Sequence, residues 1–498
     1  MSEEVTFEKI SRPDMISPQT SRQQLVRRED KSDAELKNLQ YADLEATQTF
    51  NEQTRPVKSG AKRPSFIQDD GLVYPEGGLS AWVVIFGCFC GFIPTFGILN
   101  TIGVMETYIE MNQLSSTSSS TVGWIFSIFS FVTFASCIFS GTYFDRNGAR
   151  VPLIVGTLFH VAGLFGMASS TKIWQFVLSF SILTGFGNGL LMSPLISVPS
   201  HYFMIKRGTA TAIATTGGSV GGIIYPIILR KFFSLENSSD PYYGFVWGIR
   251  TLGFIDLFLL TVAGFLAKER LPHKKIGERE RQISTWKRVF NTYFLQSFDL
   301  FAFKDLKYTF CVMGTMFGEV SIITGTTFFG SYALKQGLPQ SDTYLLFMVI
   351  NLAGIPGRWL PGFCSDIFGR FNVAMVTLSL LTITTLVMWL PFGSSRQVLF
   401  AFSALYGFFS GSVFSILPVC CGQISKTEDF GKRYSTMYFI VAFGTLVAVP
   451  ISGAIIGPDK TSVGYDHYVI WCGVASSVSA ACYMISKTLA VGFNLNRF

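Results

Sequence analysis

Gly141-Thr-Tyr-Phe-Asp145-Arg146-Asn-Gly148-Ala-Arg150 and Gly362-Phe-Cys-Ser-Asp366-Ile-Phe-Gly369-Arg370 are two copies of one loop. Three of their positions share one offset, since 362 − 141, 366 − 145 and 369 − 148 all equal 221. Each copy ends one long apolar segment and begins the next. An internal repeat of this kind in an apolar chain is the signature of many secondary transporters.

Composition places the chain in a bilayer without help from any motif. It is 49% hydrophobic and 14% charged, with a mean hydropathy of +0.39, whereas a soluble domain carries roughly a quarter charged residues. A run of about 20 apolar residues crosses a membrane. About twelve such runs follow Gly78, near 80–105, 121–143, 151–170, 173–199, 208–230, 243–267, 305–331, 342–364, 372–391, 396–420, 433–456 and 464–490 (spans 1 to 12).

The net charge of +7 does not mark a nucleic-acid surface, because the cations fall in alternate loops. Arg146 and Arg150 follow span 2, Lys206 and Arg207 follow span 4, Arg370 follows span 8, and Lys426, Lys432 and Arg433 follow span 10. The loop after span 6 is the richest, running from Lys268 and Arg270 to Lys287 and Arg288. By the positive-inside rule these loops, and with an even number of spans both termini, are cytoplasmic. Residues 1–75 are polar, charge-mixed and poor in aromatics, the composition of a disordered cytoplasmic tail. No apolar stretch follows the initiator Met, so the first span is expected to act as the insertion signal. Asn237-Ser-Ser239 is a glycosylation sequon in a loop that the charge bias places outside.

The repeat extends beyond the loops. Gly407 − Gly185 and Gly411 − Gly189 both give 222, and Lys206-Arg207 with Gly218 matches Lys432-Arg433 with Gly444 at 226. Two six-span halves follow: residues 76–267, a basic cytoplasmic linker over 268–304, and residues 305–498 with a short cytoplasmic tail. The fold class is all-α, twelve transmembrane helices in two pseudo-symmetric bundles. In each loop the glycines let helices and a tight turn approach closely. The aspartate either caps a helix end or bonds across the interface of the halves and latches one conformation. Two copies in register favour the latch, composed of Gly141, Asp145, Arg146, Gly148, Asp366, Gly369 and Arg370.

These motifs resemble those of the major facilitator superfamily over nearly everything after the tail. Pro75-Glu76-Gly77-Gly78-Leu79-Ser80-Ala81-Trp82 and Tyr202-Phe203-Met-Ile-Lys206-Arg207-Gly208-Thr-Ala210 resemble signatures of its monocarboxylate-porter family. Within it, Tyr243-Gly-Phe-Val-Trp-Gly-Ile-Arg250, Gly354-Ile-Pro-Gly-Arg358-Trp and Pro418-Val-Cys-Cys-Gly-Gln-Ile-Ser425 are similar to fungal plasma-membrane riboflavin carriers. Animal proton-coupled members differ. Counting from Trp82, their membrane-embedded lysine falls at Asn100, and their acidic residue one turn before the span 8 arginine falls at Gly354, while Arg358 is present. An amide does not titrate, so the resemblance implies facilitated diffusion of a neutral or weakly charged solute.

Arg250, Asp256, Glu319 and Arg358 are ionisable at membrane depth, where a charge costs roughly 2.5–3.5 kcal/mol and normally pairs or faces water. Arg358 is expected to face the cavity, with Glu319 either its partner or an independent proton acceptor. The superfamily resemblance places the cavity between spans 1, 4, 7 and 10. An isoalloxazine ring needs flat aromatic faces and a few polar partners at its edge. The candidates are Phe96 and Asn100, Asn188, Glu319, Asn351, Arg358, Tyr406 and Phe409, beside Phe92, Ser193, Thr324 and Ser410.

Other chemistry finds no set of residues to carry it. The nine cysteines lack C-x-x-C spacing or histidine partners and read as packing residues, with no metal and no cofactor expected. His160 and His201 have no nucleophile at recognisable spacing, and no enzyme is expected. Gly217-Gly218-Ser-Val-Gly221-Gly222 lacks the Lys-Ser/Thr ending of a phosphate loop and reads as close helix packing or a hinge. Three functions remain in descending order: a riboflavin facilitator of the plasma membrane; a monocarboxylate carrier, proton-coupled through Glu319, of the plasma or vacuolar membrane; and a transporter-like receptor.

Overall fold

A computed structural model describes residues 74–235, 242–271, 297–457, 459 and 461–492. The sequon, most of the tail and the greater part of the basic linker lie outside the described residues. Twelve long helices occur among those described. They are α1 (Leu79–Met111), α2 (Ser119–Asn147), α3 (Arg150–Ala168), α4 (Ile173–His201), α5 (Arg207–Phe233), α6 (Tyr243–Leu266), α7 (Leu306–Thr327), α8 (Gln340–Phe368), α9 (Arg370–Phe392), α10 (Arg396–Gln423), α11 (Phe430–Ile456) and α12 (Ser462–Val491). Eleven are long and apolar enough to cross a membrane by composition alone. The twelfth, α7, has 22 residues, a sufficient length, and is made less apolar by Lys307 and Glu319.

Helix satisfies every backbone group within its own segment, which the hydrocarbon core requires. Ends are closed locally: Asp305 accepts from the Lys307 N–H (3.1 Å), and the Thr461 hydroxyl accepts from the Gly464 N–H (3.1 Å). Large apolar side chains such as Leu158, Phe258, Phe265 and Val387 point outward, an arrangement suited to lipid and not to water.

The packing repeats with a period of six helices. In the first half α1 packs on α5 and α6, α2 on α4, and α3 on α4 and α6. In the second half α7 packs on α11 and α12, α8 on α10, and α9 on α10 and α12. Between halves, α2 meets α11 and α8 meets α5, again one relation stated twice. The sequence repeat is therefore a structural pseudo-twofold.

The glycine run of α5 is used for packing. A Cβ on Gly217 would strike the Phe89 carbonyl, and one on Gly221 would strike the Ile93 carbonyl and sit 2.7 Å from Gly97 Cα. Close approach of α1 to α5 thus requires glycine on both helices. Gly221→Ala is expected to cost about 1–3 kcal/mol by overpacking, read as a lowered Tm of detergent-purified protein; an unchanged Tm would mean that α1 gives way without loss.

Candidate functional site

Both repeated loops leave their helix through a glycine in the left-handed region, Gly148 at φ 85 and Gly369 at φ 94. The turn holds the preceding aspartate against the opposite half. Asp145 accepts from the backbone N–H groups of Gly431 (3.0 Å) and Lys432 (2.7 Å), in the first turn of α11. Asp366 accepts from Gly208 N–H (2.8 Å), Thr209 N–H (2.7 Å) and the Thr209 hydroxyl (2.7 Å), in the first turn of α5. The two sequence readings merge: each carboxylate caps a helix, and that helix belongs to the other half. A negative charge at a helix N-terminus is favoured by unpaired N–H groups and the helix dipole together.

This geometry corrects one register. The capped glycines give 431 − 208 = 223, and the residues that crowd Gly141 and Gly362 from across the interface, Ser435 and Ala212, also differ by 223. The equivalence of Lys206-Arg207 with Lys432-Arg433 at 226 is therefore not the structural one.

The rest of this end was only partly visible in the chain. Arg207 donates to the Gly422 carbonyl (2.9 Å) and the Thr427 hydroxyl (3.1 Å), and Arg370 donates to the Gln423 side chain and the Met204 carbonyl. Arg146 occupies the last turn of α2, where a cation suits the dipole. Glu76 accepts from the N–H groups of Met204 (2.7 Å), Ile205 (2.7 Å) and Lys206 (3.1 Å). Trp82 lies 5.0 Å from Phe203, ring to ring. The Pro75–Trp82 and Tyr202–Ala210 stretches thus form one structure, with Glu76 neutralising the N–H groups that lead into α5.

Farther into the bundle, the ionisable residues take places that sequence spacing did not reveal. Arg358 is 2% exposed and reaches α5 instead of an open cavity: its Nε donates to Ser219 Oγ (3.0 Å) and its Nη1 to the Thr215 carbonyl (2.9 Å). The rings of Phe96 and Phe414 lie 5.6 and 5.1 Å from the guanidinium carbon, a cation–π arrangement. Glu319 forms no ion pair with Arg358 within 4 Å among the described residues; its Oε1 accepts from the Tyr438 hydroxyl (3.0 Å), and its buried Oε2 has no partner. Asn100 donates to the Gly218 carbonyl (3.0 Å), Asn188 to Thr95 (3.2 Å) and Asn351 to Phe347 of its own helix (3.0 Å). Asn100 and Asn351 converge on Gly222, where a Cβ would meet both.

Contacts join these groups into a ring, closed between α7 and α10 where those helices pack at Gly318 and Leu417. Asn188 of α4 bonds α1 at Thr95; Phe96 of α1 touches Arg358 of α8 and Phe414 of α10; Glu319 of α7 bonds Tyr438 of α11, whose ring is 5.4 Å from Phe134 of α2. Thr133 and Gly189 then bring α2 back to α4. Tyr406 lies outside this set of free groups, since its hydroxyl donates to the Ile322 carbonyl (3.2 Å), and Phe409 packs against Phe408. Thr324 and Ser410 bond their own helices. Phe414, Ser219 and Tyr438 were missed because an aromatic or hydroxyl in an apolar helix carries no local signal.

A second buried network stands apart. Asp256 binds His160 Nε2 (3.0 Å) and the Tyr225 hydroxyl, tying α6 to α3 and α5, while Arg250 lies over Trp247 at 5.4 Å. Asp256 is thereby paired with neighbouring helices, as a buried carboxylate requires, and His160 finds a partner that its sequence surroundings do not show. The nine cysteines are free thiols, eight of them buried.

A sequence model of the Major Facilitator Superfamily matches residues 79–448. The chain is 61% identical over 425 residues to a Saccharomyces cerevisiae protein named riboflavin transporter MCH5, covering 85% of this chain and 81% of the relative. It is 33% identical to an MFS-type transporter of Gibberella moniliformis, over 88% and 96% of the two chains. Among solved structures, the proton:xylose symporter XylE superposes with a TM-score of 0.61 at 14% identity, over 82% and 94% of the two chains, a likeness of fold alone.

Proposed function

The chain belongs to the Major Facilitator Superfamily, and from that premise we propose that it is a facilitator that takes up riboflavin across the plasma membrane. The observation that carries the reading is the 61% identity, over most of both chains, to a protein named for riboflavin transport. The central residues agree with an uncharged cargo. Asn100 and Gly354 stand where proton-coupled carriers resembling this chain place ionisable groups, and Arg358 is engaged by Ser219 and Thr215. Asn100, Phe96, Asn188, Glu319 and Asn351 are the residues assigned to the substrate, with Arg358 joining the halves beside it.

In this reading the end that carries Asp145 and Asp366 faces the cytoplasm, because Arg146, Arg150, Arg207, Arg370, Lys432 and Arg433 gather there. The halves, residues 76–267 and 305–498, rock about the midplane site while the linker over 268–304 and the tail over 1–75 stay cytoplasmic. Contacts between halves run from the Asp145 and Asp366 caps inward to Gly222 against Asn351, so the structure would be closed on the cytoplasmic side.

Uptake of labelled riboflavin and labelled lactate, each with and without a protonophore, tests the proposal. Saturable riboflavin uptake that survives the protonophore is expected. Lactate uptake that collapses with it, and no riboflavin flux, would replace the reading with a proton-coupled monocarboxylate porter.

A further inference from the structure

We infer that Glu319 selects the cargo, by accepting a hydrogen bond from an imide N–H at the edge of an uncharged planar heterocycle. The inference rests on the riboflavin reading and names the side chain that would recognise the ring.

Glu319 is fully buried, and its two oxygens differ: Oε1 is held by the Tyr438 hydroxyl at 3.0 Å, whereas Oε2 has no partner among the described residues. An acceptor buried without a donor is costly, and native structures keep such groups chiefly where something else completes them. Tyr438 fixes the carboxylate, so the vacant oxygen has a set direction. A neutral N–H meeting the ionised carboxylate forms a charge-assisted bond, about twice the strength of a neutral one. A substrate carboxylate would instead meet a like charge, which disfavours it.

The surroundings argue the same way. Among the described residues no cation pairs with Glu319 within 4 Å, and two N–H groups of Arg358 are already directed to Ser219 and Thr215. Among the buried groups here without a hydrogen-bond partner among the described residues, Glu319 Oε2 on one half and Asn188 Oδ1 on the other are acceptors, and the hydroxyls of Thr133, Ser193 and Tyr434 can serve the polar edge of a ring as donor or acceptor. Phe96, Phe134 and Tyr438 stand in the same ring of contacts and bring flat faces of the kind a planar heterocycle requires.

The test compares riboflavin with N3-methylriboflavin, in which a methyl group replaces the imide hydrogen, in cells expressing the wild type, Glu319→Gln or Glu319→Ala at matched surface levels. The wild type is expected to prefer riboflavin by roughly ten- to a hundredfold in apparent affinity, the range for a hydrogen bond to a charged group. Both variants should lose most of that preference through weaker riboflavin binding, with little change for the methylated compound. A purely structural Glu319 would weaken both solutes alike. Should neither variant reach the surface, Tyr438→Phe, which removes the donor that aims the carboxylate, is expected to narrow the preference in the same direction. Equal affinity of the wild type for both flavins, or a preference that survives substitution, overturns the assignment of Glu319 while leaving riboflavin as cargo. Absence of riboflavin flux in the wild type overturns the reading beneath it.

Discussion

Asp145→Ala and Asp366→Ala are each expected to slow turnover by about tenfold or more while changing substrate affinity by less than about twofold. Each carboxylate holds two backbone N–H groups of a helix start on the opposite half. Removing it withdraws charge-assisted hydrogen bonds of about 1.5–3 kcal/mol each and a helix-terminus interaction of about 0.3–1 kcal/mol. These contacts cross between halves, so they exist only while that end is closed, and their loss acts on the equilibrium between conformations. A net change of about 2 kcal/mol would shift that equilibrium roughly thirtyfold. Riboflavin exchange rates in reconstituted vesicles, set beside binding to purified protein, give the two quantities separately. Asp→Asn should lie between wild type and alanine, since an amide keeps one acceptor oxygen and loses the charge. Unchanged turnover would make the caps local fixtures with no part in the cycle.

The repeated loop was legible because its chemistry is local: glycines at one spacing, an aspartate between them, apolar segments on either side. Its target was not. The Asp145 bonds join residues 286 and 287 positions apart, and no pattern near Asp145 names α11 as the helix it caps. The register slipped for a related reason. Lys206-Arg207 and Lys432-Arg433 are alike as residue types, yet the feature repeated in space is a bare N–H at the start of a helix, which any residue presents. The span count was read from apolarity because bilayer thickness fixes helix length. Only α7 is marginal, and one of the two charged residues that make it so, Glu319, carries an oxygen without a partner among the described residues. Pairing inside the membrane was least legible of all. His160 and Asp256 lie 96 residues apart, and at membrane depth a polar residue shows that it needs a partner without showing which.

Arg358→Ala is expected to reduce riboflavin uptake by more than about a hundredfold at normal surface level. The reason differs from the one that sequence alone supplies. Arg358 bridges α8 to α5, two helices of different halves, through Ser219 and Thr215, and its flat cation touches Phe96 of α1 and Phe414 of α10. One side chain therefore ties the first half to the second at the depth where the substrate residues stand. Truncation to alanine would leave a buried space among Phe96, Phe414 and Ser219, forfeiting hydrogen bonds of about 1.5–3 kcal/mol each and cation–π contacts of about 0.5–2 kcal/mol. Arg358→Lys should rescue little, because an ammonium has neither the planar fork nor the stacking face. Ser219→Ala removes a single neutral acceptor and should cost only severalfold. The order wild type, Ser219→Ala, Arg358→Lys, Arg358→Ala in uptake rate is the expected result. A lysine variant that transports like wild type would reduce Arg358 to a bare positive charge, and a fully active alanine variant would remove it from the mechanism.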